Sequence, residues 1–262
     1  MYIAERELRS VAEAATKVVK KAGEIIVNSL GSSHEIRHKG EIDLVTEVDI
    51  EVEEYLKGSL RKVLDADFLA EESASLTLSD APTWVIDPLD GTTNFAHAIP
   101  VIATSVALCV EGLPYVGIIN LPVLGETFYA IRGKGAWLNE KKIHVSSTSS
   151  LKQALVATGF PYDISTRVEE VIPPLQRVLV SVQGVRRMGA AAVDLAYVAC
   201  GRFDGFFEQG LKPWDIAAGI LLVKEAGGEV SEYHPHHPIS LFSPNILASN
   251  GIIHEHLSRI LL

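Results

Sequence analysis

With 262 residues, the chain is long enough for one large globular unit or two fused halves, and 47% hydrophobic and 21% charged residues suit a protein with a sizeable core. A formal net charge of −10 argues against an electrostatic grip on nucleic acid or anionic membranes. Cys109 and Cys200 show no CxxC spacing, no apolar run approaches the roughly 20 residues of a membrane span, and Met1-Tyr2-Ile3-Ala4-Glu5-Arg6 lacks the basic start and apolar stretch of a signal peptide. The expectation is therefore a reduced, soluble, cytoplasmic protein.

Hydrophobic spacing predicts a long amphipathic helix over residues 5–30, with Leu8, Val11, Ala12, Ala15, Val18, Val19, Ala22, Ile25 and Ile26 on one face and Gly31 as its stop. A polar stretch over 31–40 carries Lys39. A second helix is predicted over 49–63, with Val52, Tyr55, Leu56, Leu60 and Val63 on one face and an acidic first turn that suits the helix dipole. Short apolar runs of strand character follow at 68–70, 84–86, 104–110, 115–119 and 127–131, separated by turns such as Glu111-Gly112 and Leu124-Gly125. Their close spacing predicts hairpins and a largely antiparallel sheet. Gly133-Lys134-Gly135 reads as a further tight turn, since it lacks the GxxxxGK[ST] pattern of a phosphate loop.

The second half alternates strands at 154–158, 203–207 and 246–248 with helices at 168–180, 190–199 and 214–226. Gly227-Gly228 closes the third of these helices, and a final helix ends the chain. The pattern predicts α and β elements in stacked layers, one unit over 1–262 with approximate halves 1–150 and 151–262 and the active site between them.

Carboxylates recur where these elements end. Asp87 closes the strand at 84–86, Pro88 is expected to stop further pairing, and Asp90 follows three residues after Asp87. Both carboxylates can then turn toward one point, with the Leu89 carbonyl between them as a third oxygen. Hard cations such as Mg2+ take oxygen ligands of this kind and keep several waters. Gly91 and Thr92 open a short helix whose free N–H groups suit a phosphate. Glu71 ends the run at 68–70, Thr46 and Asp49 stand at the start of the second helix, and Asp215 starts the helix at 214–226. Each acid also has a plainer reading: Asp-Pro and Asp-Gly are common turn pairs, Asp49 and Asp215 suit helix caps, and Glu71-Glu72 suits a solvated turn. Four such ends in one acidic chain are harder to dismiss together than singly.

In this order, Asp43-Leu44-Val45-Thr46…Asp49, Glu71-Glu72-Ser73, Trp84…Asp87-Pro88-Leu89-Asp90-Gly91-Thr92-Thr93-Asn94-Phe95 and Trp214-Asp215…Glu225-Ala226-Gly227-Gly228 resemble the motifs of the inositol monophosphatase family. The resemblance covers nearly the whole chain, and the stretch from Arg186 through Gly189 to Tyr197 looks like its bacterial members. It implies an α+β fold, the layered αβαβα sandwich shared with fructose-1,6-bisphosphatases, and a homodimer. It also implies Mg2+-dependent, lithium-sensitive hydrolysis of a small phosphate monoester, foremost myo-inositol 1-phosphate, with two or three Mg2+ ions.

Carried over by position, Glu71, Asp87 and the Leu89 carbonyl resemble ligands of a first metal, and Asp87, Asp90 and Asp215 those of a second. Glu71 also resembles a ligand of a third, weakly held ion. Asp49 and Thr92 resemble the pair that orients the attacking water, and with Glu71 they make up the expected catalytic set. The backbone amides of Gly91 and Thr92 would hold phosphate oxygens, with Asp90 and Asp215 close to the substrate, while Arg186, Gly189, Ala191 and Glu208 fall where relatives contact the polyol. Ala190 departs from the Thr or Ser of many relatives, which removes one side-chain hydroxyl, and the spacing of Lys39 to Asp43 varies in the family.

Two metal ions about 3.5–4 Å apart can stabilise the attacking and leaving oxygens of an in-line displacement, which explains a site rich in carboxylates without a nucleophilic Ser or Cys. Alternatives within the same chemistry are fructose-1,6-bisphosphate, histidinol phosphate, NADP and adenosine 3′,5′-bisphosphate. A reading of another class is a regulatory binding role in transcription antitermination, which some bacterial relatives share. His234-Pro235-His236-His237-Pro238 resembles a metal tract in composition but reads better as a surface loop, and Arg186-Arg187 suits either a phosphate or acidic neighbours.

Overall fold

The structure, a computed structural model, describes residues 5–31, 36–38, 44–73 and 80–262. Helix α1 (Glu5–Ser29) matches the predicted one: Leu8, Val11, Ala12, Ala15, Val19, Ala22 and Ile26 recur every three to four residues and form one buried stripe. Strands β1 (Ile36–His38) and β2 (Leu44–Thr46) pair antiparallel, and β2 runs straight into α2 (Glu47–Val63). This second helix starts two residues before the expected position, because Asp49 sits in its first turn and reaches back to Thr46. Lys39 and Asp43 lie outside the described residues.

A seven-stranded sheet follows in chain order: β3 (Asp67–Ala70), β4 (Thr83–Asp90), β5 (Ala103–Val110), β6 (Leu113–Leu121), β7 (Glu126–Ile131), β8 (Gly135–Leu138) and β9 (Lys141–Ile143). Only the β3–β4 pair is parallel; the remaining neighbours are antiparallel. Pro88 does not end β4. Pairing resumes at Asp90 after a bulge between Asp87 and Asp90, which accommodates a residue with no N–H to give. Strands β8 and β9 escape a periodicity search because they are short, and β9 is mostly lysine.

The second half begins with β10 (Leu155–Thr158), α4 (Ile164–Leu179), β11 (Gly184–Arg186) and α5 (Ala191–Ala199). It continues through β12 (Gly205–Gln209), α6 (Pro213–Glu225), β13 (Glu229–Ser231), β14 (Asn245–Ser249) and α7 (His254–Leu261). Its five strands lie in the order β11-β10-β12-β14-β13, with β10 parallel to β11 and β12, and β14 antiparallel to β12 and β13.

Alternation along the strands builds the layers. In the seven-stranded sheet, Trp84, Ile86, Val106, Leu108 and Ile118 pack with the stripes of α1 and α2, while Val85, Ala107, Ile119 and Phe128 face α5 and α6. In the five-stranded sheet, Phe206, Ile246 and Ala248 join the α5–α6 layer, whereas Val156, Phe207 and Leu247 pack with Val178 of α4 and Leu257 and Leu261 of α7. The result is the αβαβα sandwich that the family resemblance implies. Cys109 is buried beside α5 and α6, its thiol pushed up to about 12 by burial, and neither it nor Cys200 is in a disulfide.

The outer layer contains a pH-sensitive joint. His254 is fully buried at the start of α7, with Nε2 2.9 Å from Ser231 Oγ and Nδ1 2.9 Å from Ser249 Oγ. Ser231 donates its own proton to the Glu232 carbonyl, which assigns the imidazole proton to Nε2 and leaves Nδ1 to accept from Ser249. Burial holds the imidazolium pKa below its ordinary 6.5, only partly opposed by Glu229. Below pH 6.5 the unfolded chain therefore binds a proton that the folded one resists, so stability falls as pH falls. The melting temperature should drop between pH 7 and pH 5 more steeply in the wild type than in His254→Asn; parallel curves would contradict the assignment.

Candidate active site

The site is assembled from the bottom of β4 outward. Parallel pairing sets Ala70 opposite Ile86, so Glu71, the next residue after β3, comes to lie beside Asp87. The one-turn segment Glu71–Ser73 is tied to α2 by Glu53, whose carboxylate accepts from the Glu72 N–H at 2.9 Å, from Ser73 Oγ and from Lys57 Nζ at 3.0 Å. Glu53 was not singled out from the sequence; its one local signal is the i, i+4 pair with Lys57.

Asp87 continues the face of Val85 and pairs with Ser105 of β5, whose hydroxyl donates to the Trp214 carbonyl at 3.1 Å. That bond moors the start of α6, and with it Asp215, next to Asp87. Asp215 both caps its helix, accepting from the Lys212 N–H at 2.7 Å, and lines the cleft. The two sequence readings of this residue are therefore compatible.

The bulge after Asp87 turns the chain. Asp87 Oδ1 accepts from the Leu89 N–H at 3.0 Å, and Thr104 Oγ donates to the Pro88 carbonyl at 3.0 Å. Asp90 Oδ2 accepts from the Ala192 N–H at 2.6 Å, which joins β4 to α5. Gly91 then takes φ +93°, and a Cβ there would stand 3.0 Å from the Val101 carbonyl oxygen, so no other residue fits the turn without strain. Helix α3 (Thr92–Ala96) opens immediately after, and Asn94 Nδ2 donates to Val101 O at 2.7 Å and to Met188 O at 2.9 Å. Asn94 thus ties the loop to the segment that leads into α5.

Asp49 lies behind Thr92, fully buried. Its Oδ2 accepts from the Thr46 N–H at 2.8 Å and from the Thr46 hydroxyl; its Oδ1 lies 3.2 Å from Thr92 Oγ, which is also 3.1 Å from the Leu89 carbonyl. One carboxylate therefore caps α2 and orients the Thr92 hydroxyl at the same time.

A cavity of about 300 Å³ connects these parts. Its walls include Glu71, Asp87, Leu89, Asp90, Gly91 and Thr92 from strands β3 and β4 and the segments that follow them, and Gly189, Ala191, Glu208 and Asp215 from the second half. Of the sequence-derived set, Asp49 stands behind this wall and Arg186 does not line it; Arg186 is exposed and bonds the Val185 carbonyl. The neighbouring Arg187 does line it, its guanidinium 5.9 Å from the Phe160 ring. Glu208 is 7% exposed, and its carboxylate rests on Gly159, where a Cβ would lie 2.3 Å from its oxygens. A wider groove of about 1450 Å³ between α1 and β7–β9 holds none of the converging acids.

Crowding of like charges defines the electrostatics. Burial, followed by the charges of Glu71, Asp90, Asp215 and Asp49, holds the Asp87 carboxyl well above the usual range. Burial pushes Asp90 up to about 7, against the hydrogen bonds from the Ala192 and Ala191 amides. Burial also raises Glu208 well above its ordinary value, with Asp215 and Asp90 adding to the effect and Arg187 opposing it. Carboxyls packed in this way call for a cation. Among the described residues no three His, Cys, Asp or Glu side chains are arranged to hold an ion by themselves. The donors nonetheless suit Mg2+, which is usually held by one or two carboxylates, with waters and substrate oxygens completing its shell.

The other sequence features fall outside the site. His234, His236 and His237 are exposed, with the rings of His234 and His237 stacked at 4.6 Å. The turn at Gly133-Lys134-Gly135 docks on Glu225, whose carboxylate accepts from the Gly133 and Gly135 amides at 2.7 and 2.8 Å.

Comparison with known proteins places this geometry. The sequence model described as "Inositol monophosphatase family" matches residues 7–261. The chain is 45% identical over 258 residues to an inositol-1-monophosphatase of Synechocystis sp., covering 97% of this chain and 90% of that one. It is 41% identical over 240 residues to Nus factor SuhB of Escherichia coli, covering 90% of each. The solved inositol monophosphatase from Anabaena (Nostoc) sp. superposes with a TM-score of 0.88 at 39% identity, covering 97% of this chain and 96% of that one.

Proposed function

Because this chain belongs to the inositol monophosphatase family and is a phosphoric monoester hydrolase, we propose that it hydrolyses myo-inositol 1-phosphate with Mg2+ as cofactor and Li+ as inhibitor. The observation that carries the reading is the convergence of Glu71, Asp87, Asp90 and Asp215 with Thr92 on one cleft of polyol size. Glu71, Asp87, the Leu89 carbonyl, Asp90 and Asp215 are the groups that would hold Mg2+. Bound there, Mg2+ would neutralise phosphate charge and make a water more acidic.

The chain's own residues do the rest. The amides of Gly91 and Thr92 receive the phosphate oxygens at the tight turn. The Thr92 hydroxyl, held by Asp49, accepts a hydrogen bond from the attacking water and passes its proton toward Asp49. Glu208, Gly189 and Ala191 border the space left for the polyol. The active site then lies between the halves 1–150 and 151–262, and the working form is a cytoplasmic homodimer. No helix among the described residues is long and apolar enough to cross a membrane.

The test is phosphate release from inositol 1-phosphate with Mg2+, with chelator, and with Mg2+ plus Li+. Release should require Mg2+ and be suppressed by Li+; equal release in chelator would remove the metal from the mechanism. The relatives named Nus factor SuhB favour a second, binding role alongside catalysis. Polymerase-associated proteins should then co-purify equally with wild type and Asp87→Asn, whereas none recovered with either would dismiss that role.

A further inference from the structure

The inner wall of the cleft contains a carboxyl group that neither the metal set nor the phosphate cradle uses, and the role inferred for it rests on the phosphatase reading. Among the described residues, Asp194 Oδ1 is the sole buried side-chain nitrogen or oxygen with no hydrogen-bond partner. Asp194 is 1% exposed and sits in the first turn of α5, surrounded along its helix by the fully buried Ala192, Val193, Leu195 and Ala196. It lies three residues beyond Ala191 and four beyond Ala190, which places it on the helix face that walls the cleft with them.

The charged groups facing it come from three other segments: Glu208 from β12, Asp90 from β4, and Arg187, which alone opposes the two acids. Buried polar atoms are nearly always paired, and an orphan costs stability that an alanine or leucine at the same place would not. Asp194 and Glu208 both line the cavity, and Asp194 Oδ1 finds no donor in the protein itself. A ligand rich in hydroxyl groups supplies such donors; a flat aromatic leaving group does not.

We propose that Asp194 is a substrate-binding residue that accepts a hydrogen bond from a hydroxyl of the leaving group, beside Glu208, and so selects polyol phosphates over esters with no hydroxyl to offer. The physical basis is asymmetric: a leaving group without a donor leaves the buried carboxyl unpaired, and a site built to pair a hydroxyl rejects an analogue that lacks it. Arg187, held over Phe160, provides the charge balance for the two acids.

The experiment measures kcat and KM of wild type, Asp194→Ala, Asp194→Leu and Asp194→Asn on inositol 1-phosphate, glycerol 2-phosphate and p-nitrophenyl phosphate, with a melting curve for each protein. The preference for the two hydroxylated esters over p-nitrophenyl phosphate should fall at least about tenfold in Asp194→Ala and Asp194→Leu, chiefly through KM. Asp194→Asn keeps an acceptor oxygen and should retain most of the preference. Should the leucine variant fail to fold, the alanine and asparagine variants make the same comparison. Equal losses toward all three esters, or an unchanged preference, would overturn the assignment while leaving the phosphatase reading intact. No release by wild type from any of the three would sink the phosphatase reading, and this inference with it.

Discussion

Asp87→Asn should lower kcat on inositol 1-phosphate by on the order of 10³-fold, while the metal-free variant melts at a higher temperature than the metal-free wild type. Asp87 is 2% exposed and faces Glu71, Asp90, Asp215 and Asp49, so its carboxylate is crowded by like charge. If Asp87 is the shared corner of the proposed metal site, neutralising it would remove the cation that the other acids require. The same change relieves desolvation and repulsion in the folded protein, which is why stability should move the opposite way. The amide oxygen can still accept from the Leu89 N–H, so the bulge of β4 keeps its shape. Steady-state kinetics and differential scanning calorimetry in chelator test the pair. Turnover near wild type would sink the assignment of the site, and a lower melting temperature would show that Asp87 holds the fold rather than a cation.

The second large effect concerns Asp49→Asn, for which kcat should fall about 10²–10³-fold, within the range of general acid–base groups, with KM little changed. Both Asp49 oxygens accept hydrogen bonds, Oδ2 from Thr46 and Oδ1 from Thr92. An asparagine has a single acceptor oxygen, and the two donors of Thr46 claim it. Its NH2 group then meets Thr92 Oγ as a donor, reversing that bond and turning the Thr92 proton to the Leu89 carbonyl, 3.1 Å away. On the proposed mechanism Thr92 would then no longer pass on a proton, although the backbone turn at Gly91 and Thr92 would be intact. Because the Thr46 cap survives, the melting temperature should change little; replacement by alanine removes the cap as well and should cost about 1 kcal/mol. A fall in KM and kcat together, or a large loss of stability in the asparagine variant, would contradict this division of roles.

Much of this is legible in the chain before any fold is known, and for an identifiable reason. The stretch from Trp84 to Phe95 brings two carboxylates, a carbonyl and a helix start within a dozen residues, so this part of the site can be read from local geometry. The stripe of α1, the hairpins from β5 to β7 and the Gly227-Gly228 stop are likewise local patterns of spacing and turn residues. Where sequence and structure part, the cause is non-local. Pro88 on local grounds ends its strand, but β5 continues past it, with Thr104 binding the Pro88 carbonyl. The family resemblance puts Arg186 at the polyol end, yet Arg187 lines the cleft: β11 ends at Arg186, and spacing does not say which of two adjacent arginines the cleft will meet.

By itself, then, the sequence determined the longer elements, their stacking as α and β layers and the acids that collect at their ends, because periodicity, turn chemistry and order along the chain are properties of neighbours; the αβαβα order was implied by the family resemblance. Tertiary structure alone decided which acids meet. Glu71 reaches Asp87 through the parallel register of β3 and β4, and Asp215 reaches it because Ser105 moors the start of α6. Asp194 is set opposite Glu208 because α5 packs between the two sheets. These are contacts between residues far apart in the chain, and only the burial of one surface against another selects them.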